Sequence, residues 1–176
     1  MDAAGENDVV TLLSGYQFSP FEDELPLKIT KDVTIKGNGD ATKLQGNAEA
    51  GFFVLDANLT LDNVTARINQ SGFGRGTGII FNEQAEGDVT LTIQNKSNLI
   101  FSGLTCIDDR SSGHTKVVVD DSIIQANPDV IVEGDPSDVE GSSTLFNGDE
   151  FVVQNGSQID ADWCHTAIQA NRTTID

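Results

Sequence analysis

The residues best suited to chemistry lie in one short stretch, IDDRSSGHTK, where Asp108 and Asp109 are followed by Gly113 and His114. Two carboxylates can act as the acid and the base of glycoside hydrolysis. Neighbouring residues at the end of a strand, however, point to opposite faces, so Asp108 and Asp109 would not face the same substrate. We therefore expect a solvated turn here, with catalysis as the less favoured alternative.

Oxygen-rich side chains also collect in the segment 127–141, NPDVIVEGDPSDVEG. Calcium takes roughly six to eight oxygen ligands from a turning backbone, and this segment could supply them. It lacks the ordered D-x-D-x-D-G spacing of a dedicated calcium loop. We therefore interpret it as an acidic insertion and predict no cofactor, with calcium as the alternative. The candidate metal ligands are Asp129, Glu133, Asp135 and Asp138.

Two further clusters could contact a ligand. The glycine-rich stretch NQSGFGRGTG, residues 69–78, would present Phe73 and Arg75, and loops on rigid scaffolds commonly carry recognition. Trp163 and His165 form the second cluster, in which an exposed indole could stack on a sugar ring. A flexible corner in the first case, and a Trp packed near the end of the fold in the second, explain the same residues without a ligand.

The charge of the chain limits its partners. The 176 residues carry 28 acids and 10 bases, a net charge of −18, and the part from Asp120 onward holds 12 acids but only Arg172 as a base. Such a surface repels nucleic acid and anionic membranes, and it is also typical of proteins that stay soluble in high salt or outside a cell. No window approaches the ~20 apolar residues of a membrane span. We expect neither nucleic-acid binding nor membrane insertion.

The two ends of the sequence suggest a larger protein. The first residues, MDAAGEND, are acidic and contain no apolar stretch, and the last ones, RTTID, stop in the middle of a pattern. We expect residues 1–176 to form one domain, cut at both ends from a longer secreted or cell-surface protein.

A phrase that repeats along the chain indicates how all these residues are positioned. Five copies begin at Val33, Leu59, Val89, Val117 and Phe151, 26 to 34 residues apart. A period of this length signals a solenoid. Within a copy, apolar residues alternate with polar ones, as they do in a β-strand.

Each copy holds three short strands rather than one. The opening strand is followed by a Ser-x-Ile-like strand, as in DSIIQAN, and then by a third, as in GTGIIFN. Asn and Gly mark the corners because they tolerate positive φ. Three strands per turn describe a coil of a parallel β-helix, so we predict an all-β solenoid of about five to six coils. Its predicted core contains Val33, Ile35, Leu59, Leu61, Val89, Leu91, Val117, Val119 and Phe151, with Phe53, Phe81 and Phe146 in one further stack.

Six Asn-x-Ser/Thr triplets accompany the repeat, at Asn58, Asn63, Asn69, Asn95, Asn155 and Asn171. A sequence built from Asn corners and Thr-rich strands generates such triplets by chance. They become glycosylation sites only where the secretion pathway uses them.

The pattern resembles the right-handed parallel β-helix, or pectate-lyase-like, superfamily, which includes pectin-degrading enzymes and many cell-surface adhesins. The opening NDVVTLLSGYQFS…PLKITKDVTIKGNG is similar to the first coils of adhesin-type bacterial and archaeal cell-surface members, and the resemblance covers residues 7–175. It implies a right-handed parallel β-helix. It implies little about function, because the shared residues are core and corner residues.

Enzymes of this superfamily carry marks that this chain lacks. Polygalacturonase-like members add a later R-I-K to their aspartates and Gly-His pair, and lyase-like members need a basic residue beside calcium ligands on one face. Here no R-I-K occurs and the four arginines have no repeated partner acid. We therefore expect a non-catalytic, adhesin-like segment that binds glycans or partner surface molecules. A fragment of a polysaccharide lyase or glycoside hydrolase and a structural stalk are the alternatives. End-to-end self-association at the last coil is a further expectation.

The cysteines lie in different coils. By the repeat, Cys106 belongs to a third strand and Cys164 precedes the third strand two coils later. At about 4.8 Å per coil, their backbones would be nearly 10 Å apart, whereas a disulfide tolerates only about 7 Å between Cα atoms. We expect no intrachain disulfide, even in an oxidising exterior.

Overall fold

The computed structural model describes residues 5–13, 17–18, 25–48, 51–70, 77–85, 87–102, 105–126, 144–162, 164 and 166–176. These residues contain strands and no helix, so they include no helical segment able to cross a membrane. The all-β prediction is confirmed. The strands are β1 (Asp8–Thr11), β2 (Gln17–Phe18), β3 (Leu27–Ile29), β4 (Val33–Ala48), β5 (Phe53–Leu55), β6 (Leu59–Gln70), β7 (Thr77–Phe81), β8 (Val89–Gln94), β9 (Asn98–Ser102), β10 (Thr105–Asp109), β11 (Thr115–Asp120), β12 (Ile123–Ala126), β13 (Thr144–Gln154), β14 (Gln158–Asp160) and β15 (Thr166–Ile175).

Every strand pairing among the described residues is parallel, and the pairings join the strands into one 15-stranded sheet. Copies of the repeat stack in three arrays, which follow one another along the chain. The first array joins β1, β4, β6, β8, β11, β13 and β15, the second joins β2, β4, β6, β9, β12 and β14, and the third joins β3, β5, β7, β10, β13 and β15. This topology is consistent with a β-solenoid.

The core is built by alternation along each strand of the first array. In β8, Val89, Leu91 and Ile93 are buried, and the polar residues between them are half-buried. The same alternation recurs in β11. Burying an aliphatic side chain of this size contributes about 1.5–3 kcal/mol, so each coil gains its stability by covering its neighbour. All the predicted core residues are buried: Val33, Ile35, Leu59, Leu61, Val89, Leu91, Val117, Val119 and Phe151.

The predicted phenylalanine stack is partly wrong. Phe53 pairs with Ile79, and Phe146 lies in the same column two strands further on. Phe81 instead pairs with Leu55 and occupies the next inward column. The prediction aligned the repeated phrases on their phenylalanines, and this shifts β7 by two residues relative to its true register. A shift of two residues keeps the Phe81 side chain on the inward face but assigns it to the wrong column.

One corner of the coils has the left-handed α conformation. Asn63, Asn95, Asp121 and Asn155 have φ values of 56°, 57°, 46° and 55°, and the strand register stacks them on one another. Asn and Asp adopt this conformation more readily than other side chains. The corresponding residue of the preceding coil is Gly37, where a Cβ would lie 2.3 Å from the backbone oxygen of Asn63. The prediction of positive φ at corner asparagines is confirmed here, whereas Gly37 is explained by the close approach of the neighbouring backbone.

A column of serine hydroxyls follows this corner and satisfies backbone N–H groups of the adjacent coil. The N–H of Val64 donates to Ser97 Oγ at 3.0 Å, that of Ser97 to Ser122 Oγ at 3.1 Å, and that of Ser122 to Ser157 Oγ at 3.1 Å. The Ser97 and Ser157 hydroxyls also donate to backbone carbonyls, each at 2.7 Å. The serine of the repeated Ser-x-Ile phrase is therefore a joint between coils.

Candidate functional site

The residues predicted to bind a ligand or a metal all lie outside the described part of the chain. They are Phe73, Arg75, Trp163 and His165 for a ligand, and Asp129, Glu133, Asp135 and Asp138 for a metal. Among the residues that the structure describes, no group of three or more His, Cys, Asp or Glu side chains is placed to hold a metal ion. The chemistry that can be examined in detail lies in the turn between β10 and β11.

Asp108, the first carboxylate of that turn, faces the neighbouring strands. Its Oδ1 accepts a hydrogen bond from Asn147 Nδ2 at 3.2 Å, and its Oδ2 accepts one from Arg110 Nε at 2.8 Å. Arg110 also donates to the hydroxyl of Thr77 at 3.1 Å. Both oxygens of Asp108 thus bind side chains that hold three adjacent strands of the third array together.

Asp109, the second carboxylate, closes its own turn. Its Oδ1 accepts from the N–H and the hydroxyl of Ser111 at 2.9 and 2.8 Å, and its Oδ2 accepts from the hydroxyl of the fully buried Thr115. The N–H of Thr115 donates to Asp149 Oδ2 at 3.1 Å. Asp109 and Asp108 share no hydrogen-bond partner, as we expected for adjacent side chains that point to opposite faces.

Gly113 is explained by close packing of the backbone. A Cβ at this position would lie 2.2 Å from the carbonyl oxygen of Gly87 in the adjacent coil. Only glycine permits this approach. The Gly-His pair of the sequence therefore has a structural reason for its glycine, and its histidine is carried outward on the same turn.

His114, Lys116 and Glu150 form a small exposed cluster, which we call the charged ledge. Glu150 Oε1 lies 3.3 Å from Lys116 Nζ, and Glu150 Oε2 lies 3.8 Å from His114 Nε2. The His114 and Lys116 side chains are 52% and 35% exposed, whereas that of Glu150 is 12% exposed. A largely buried carboxylate thus lies beside two nitrogen donors at the surface, which can bind hydroxyl or acidic groups of a ligand.

Sequence reasoning singled out His114 but missed its two partners. The signal was present in the repeat, because KVVVD and EFVVQ align with Lys116 opposite Glu150, and the structure pairs these two residues. Opposite charges at matching positions of adjacent copies become neighbours across a parallel pair of strands. Such a comparison of outward positions would have identified the charged ledge.

Aspartate side chains join successive coils throughout the described residues. In each case an aspartate oxygen accepts a hydrogen bond from an asparagine amide of the following coil, and we call these contacts the Asp–Asn joints. The joints are Asp32–Asn58 (2.8 Å), Asp56–Asn82 (2.6 Å), Asp62–Asn95 (2.9 Å), Asp108–Asn147 (3.2 Å), Asp120–Asn155 (2.6 Å) and Asp149–Asn171 (2.8 Å). Part of the acidity of the chain therefore serves to hold the coils in register.

The strand register agrees with the expected separation of the cysteine backbones. The register keeps their strands two steps apart, since Thr105 pairs with Thr144 and Thr144 pairs with Thr166. Both cysteines are free thiols, and each influences the pKa of the other. Cys164 precedes β15 and packs against the core that contains Cys106.

The pKa values of the Cys106 and Cys164 thiols shift in opposite directions. The hydrogen bond with Cys164, together with burial, raises the pKa of the Cys106 thiol well above its ordinary value. The same hydrogen bond lowers the pKa of the half-buried Cys164 thiol, and it outweighs the opposing effects of desolvation and of the Asp160 carboxylate. Cys164 is thus the more readily ionised and the more accessible thiol of the pair.

Comparisons with known proteins found no match to the chain, whether among family models, curated proteins or solved structures. The description of the fold and of the candidate site therefore rests on the strand pattern and on the contacts given above.

Proposed function

We propose that the chain is a non-catalytic segment of a secreted or cell-surface, adhesin-like protein that binds glycans or partner surface molecules. In this proposal the solenoid is a right-handed parallel β-helix of about five to six coils, a rigid support for exposed side chains and loops. The observation that carries the proposal is the set of Asp–Asn joints: aspartates of successive coils, including Asp108 of the stretch IDDRSSGHTK, bind asparagine amides of the next coil.

The charged ledge is the part of the described surface that we propose to contact a ligand. His114 is exposed, Lys116 is half-buried, and both lie beside Glu150, so a glycan hydroxyl or carboxylate could displace water without rearranging the scaffold. Phe73, Arg75, Trp163 and His165 remain proposed ligand contacts. We propose that the chain binds no cofactor. The alternative is a calcium ion bound by Asp129, Glu133, Asp135 and Asp138.

A glycan array, read with and without added calcium, tests the proposal. We expect the 176-residue chain to bind a subset of glycans, and the Lys116→Ala and His114→Ala variants to lose at least about tenfold in affinity, since each removes a nitrogen donor. Lys96→Ala is the matched control, because Lys96 is an exposed lysine whose ion pair with Asp121 lies at a different corner. A calcium requirement would identify calcium as a cofactor.

The same samples separate the alternatives. Release of reducing ends or of unsaturated products from acidic polysaccharides would contradict the proposal and favour a polysaccharide lyase or glycoside hydrolase. An absence of binding to glycans and to extracts of cell-surface proteins would favour a structural stalk.

We also propose that the chain associates end to end through β15. This strand pairs with β13, and its residues from Asn171 onward are exposed, including Ile175 at 75%. A parallel strand with a free edge is a template for pairing with another chain. Sedimentation should show self-association that increases with concentration and weakens in Ile175→Lys, and a monomer at all concentrations would contradict it.

A further inference from the structure

We propose that Asn155 is a site of spontaneous deamidation, at which the side-chain amide becomes a carboxylate and the joint between Asp120 and Asn155 is lost. Asn155 precedes Gly156 in an exposed turn between β13 and β14. This inference goes beyond the proposed binding function and does not depend on it.

Three asparagines of the chain precede a glycine: Asn38, Asn147 and Asn155. Deamidation begins when the backbone nitrogen of the following residue attacks the side-chain amide carbon of the asparagine. A following glycine favours this attack, because it has no side chain to hinder the approach and its backbone rotates freely. Asparagine is one of the thermolabile residues of proteins, and these three pairs are the candidates in this chain.

Strand pairing holds two of the three pairs. Asn147 and Gly148 lie in β13, where Gly148 pairs with β15, and a Cβ at Gly148 would lie 2.6 Å from a phenylalanine ring. Asn38 and Gly39 lie in β4, where Gly39 pairs with β6. The backbone must rotate before the nitrogen can reach the amide carbon, and rotation at either pair would break hydrogen bonds between strands.

Asn155 and Gly156 are instead the two central residues of a turn. Their φ values are 55° and 73°, and a hydrogen bond of 3.2 Å from the Ser157 N–H to the Gln154 carbonyl closes the turn. Among the described residues, no group accepts a hydrogen bond from the Gly156 N–H, and a Cβ on Gly156 would meet no atom within 4 Å apart from its chain neighbours. The attacking nitrogen is therefore accessible, and its backbone can rotate without breaking a strand pairing.

The turn at Asn95 provides a comparison within the same chain. Asn95 and Lys96 have φ values of 57° and 67°, and Asn95 donates to Asp62 at 2.9 Å, as Asn155 does to its own aspartate. Two features differ. Lys96 carries a side chain, and its N–H donates to the carbonyl of Asp121 at 2.8 Å. We therefore expect Asn95 to remain an amide while Asn155 is converted.

The reaction requires only water. The Gly156 nitrogen bonds to the side-chain amide carbon of Asn155, and Nδ2 leaves as ammonia with the proton of the Gly156 N–H, so that a cyclic imide forms. Water then adds to one of the imide carbonyls and opens the ring. Opening at one carbonyl gives aspartate, and opening at the other gives isoaspartate, in which the main chain runs through the side-chain carbon. Neither step oxidises or reduces the protein.

The product would break a contact between coils. Asn155 Nδ2 donates to Asp120 Oδ1 at 2.6 Å, whereas a carboxylate at residue 155 has no hydrogen to donate and places a second negative charge beside Asp120. Ser157, two residues later, accepts a hydrogen bond from the Ser122 N–H at 3.1 Å. Isoaspartate would lengthen the main chain just before Ser157 and so disturb the serine column as well. Deamidation would thus loosen β14 from the preceding coil.

Incubation of the folded 176-residue chain in mildly alkaline buffer for several weeks, followed by digestion with endoproteinase Asp-N, tests the proposal. This enzyme cleaves before aspartate, so each asparagine lies in its own peptide: Asn38 in residues 32–39, Asn95 in 88–107, Asn147 in 138–148 and Asn155 in 149–159. The mass increase of an amide-to-acid conversion should appear in 149–159 at least about fivefold faster than in the other three, because strand pairing or a following side chain raises their barrier. New cleavage before residue 155 reports aspartate, and an uncleaved peptide with the mass of the acid reports isoaspartate.

The chain unfolded in guanidinium chloride is the control. There the three Asn-Gly pairs should convert at similar rates and Asn95 more slowly, because only the following side chain then distinguishes them. If Asn155 stays an amide in the folded chain, or converts no faster than Asn38 or Asn147, the proposal is overturned.

Two variants test the loss of the joint. Asn155→Asp copies one product, and Asn155→Gly loses the same hydrogen bond without adding a charge. We expect both to lower Tm and Asn155→Asp to lower it further, and the additional loss should diminish in high salt, which screens charges at the surface. Equal Tm values of the two variants at low salt would overturn the proposed repulsion between residue 155 and Asp120.

Discussion

At the scale of single residues, the repeated Asn-x-Ser triplets have a structural explanation. In the triplets that begin at Asn95 and Asn155, the asparagine has positive φ and donates to an aspartate of the preceding coil, while Ser97 and Ser157 enter the serine column two residues later. The triplet thus holds one corner conformation and two contacts between coils. Its recurrence follows from the fold, whether or not any of these asparagines is glycosylated.

Replacing a serine of this column should destabilise the fold. Ser97→Ala leaves the buried N–H of Val64 without its acceptor, and an unsatisfied buried donor costs about 1–3 kcal/mol. Urea unfolding should show that loss in the free energy of unfolding. The exposed Ser112→Ala is the control, and we expect it to change stability by less than about 0.5 kcal/mol. Equal effects of the two variants would contradict a structural role for the column.

The reactivity of Cys164 should depend on pH in a predictable direction. The pKa of Cys164 is lowered by the hydrogen bond with Cys106. The thiolate of Cys164 should therefore form at lower pH than that of an ordinary cysteine, and the rate of alkylation by iodoacetamide should rise over the same lower pH range. Cys106→Ala removes the hydrogen bond and should move the midpoint to higher pH. If the midpoint of the alkylation rate against pH is unchanged in Cys106→Ala, the influence of Cys106 on the pKa of Cys164 is contradicted.

Some of these residue-level features could be predicted from the sequence and others could not. The inward residues Leu61 and Ile93 follow from alternation alone, since a strand has only two faces. The influence of Cys106 and Cys164 on each other's pKa did not follow, because a side chain that precedes a strand is positioned by its turn and not by the period of the repeat. The ledge partners of His114 could have been found from aligned outward positions.

At the scale of elements, the corners of the coils are of two kinds: at some the strand ends, and at others a single strand continues through the corner. The sequence pattern predicts three separate short strands per coil, whereas β6 and β13 run through a corner as single strands. The strand β6 continues through its corner although Asn63 has positive φ, whereas β8 ends before Asn95, which also has positive φ. Composition marks Asn and Gly as corner residues, but it does not distinguish a corner at which the strand continues from one at which it ends.

Substitutions at the left-handed corner should separate backbone strain from side-chain bonding. Asn95→Ala loses the hydrogen bond to Asp62 and places alanine, which adopts positive φ poorly, at φ 57°. Asn95→Gly loses only the hydrogen bond. The left-handed conformation costs an ordinary residue about 1–2 kcal/mol. Thermal or urea unfolding should therefore rank the wild-type chain above Asn95→Gly and Asn95→Ala last. Glycine and alanine variants of equal stability would contradict this account of the corner.

At the scale of the whole molecule, the solenoid explains how a chain with a net charge of −18 keeps its coils together. Aspartates placed on stacked coils would repel one another if they faced like charges. The alternation along one outward column avoids this: Asp62, Gln94, Asp120 and Gln154 occupy successive strands, and each glutamine donates to the preceding aspartate, at 3.4 and 3.0 Å. The charge seen in the sequence is thus separated by amides in the structure.

The stacking of register-matched positions is the central claim, and distances between spin labels test it most directly. In a cysteine-free background, labels at Thr34 and Val152 are four strand steps apart in the first array, and so are labels at Thr60 and Thr174. At about 4.8 Å per step, double electron–electron resonance should give both pairs the same narrow distance, about 19 Å between backbones. Unequal distances for the two pairs, or a broad distribution beyond about 30 Å as in an expanded chain, would contradict the account.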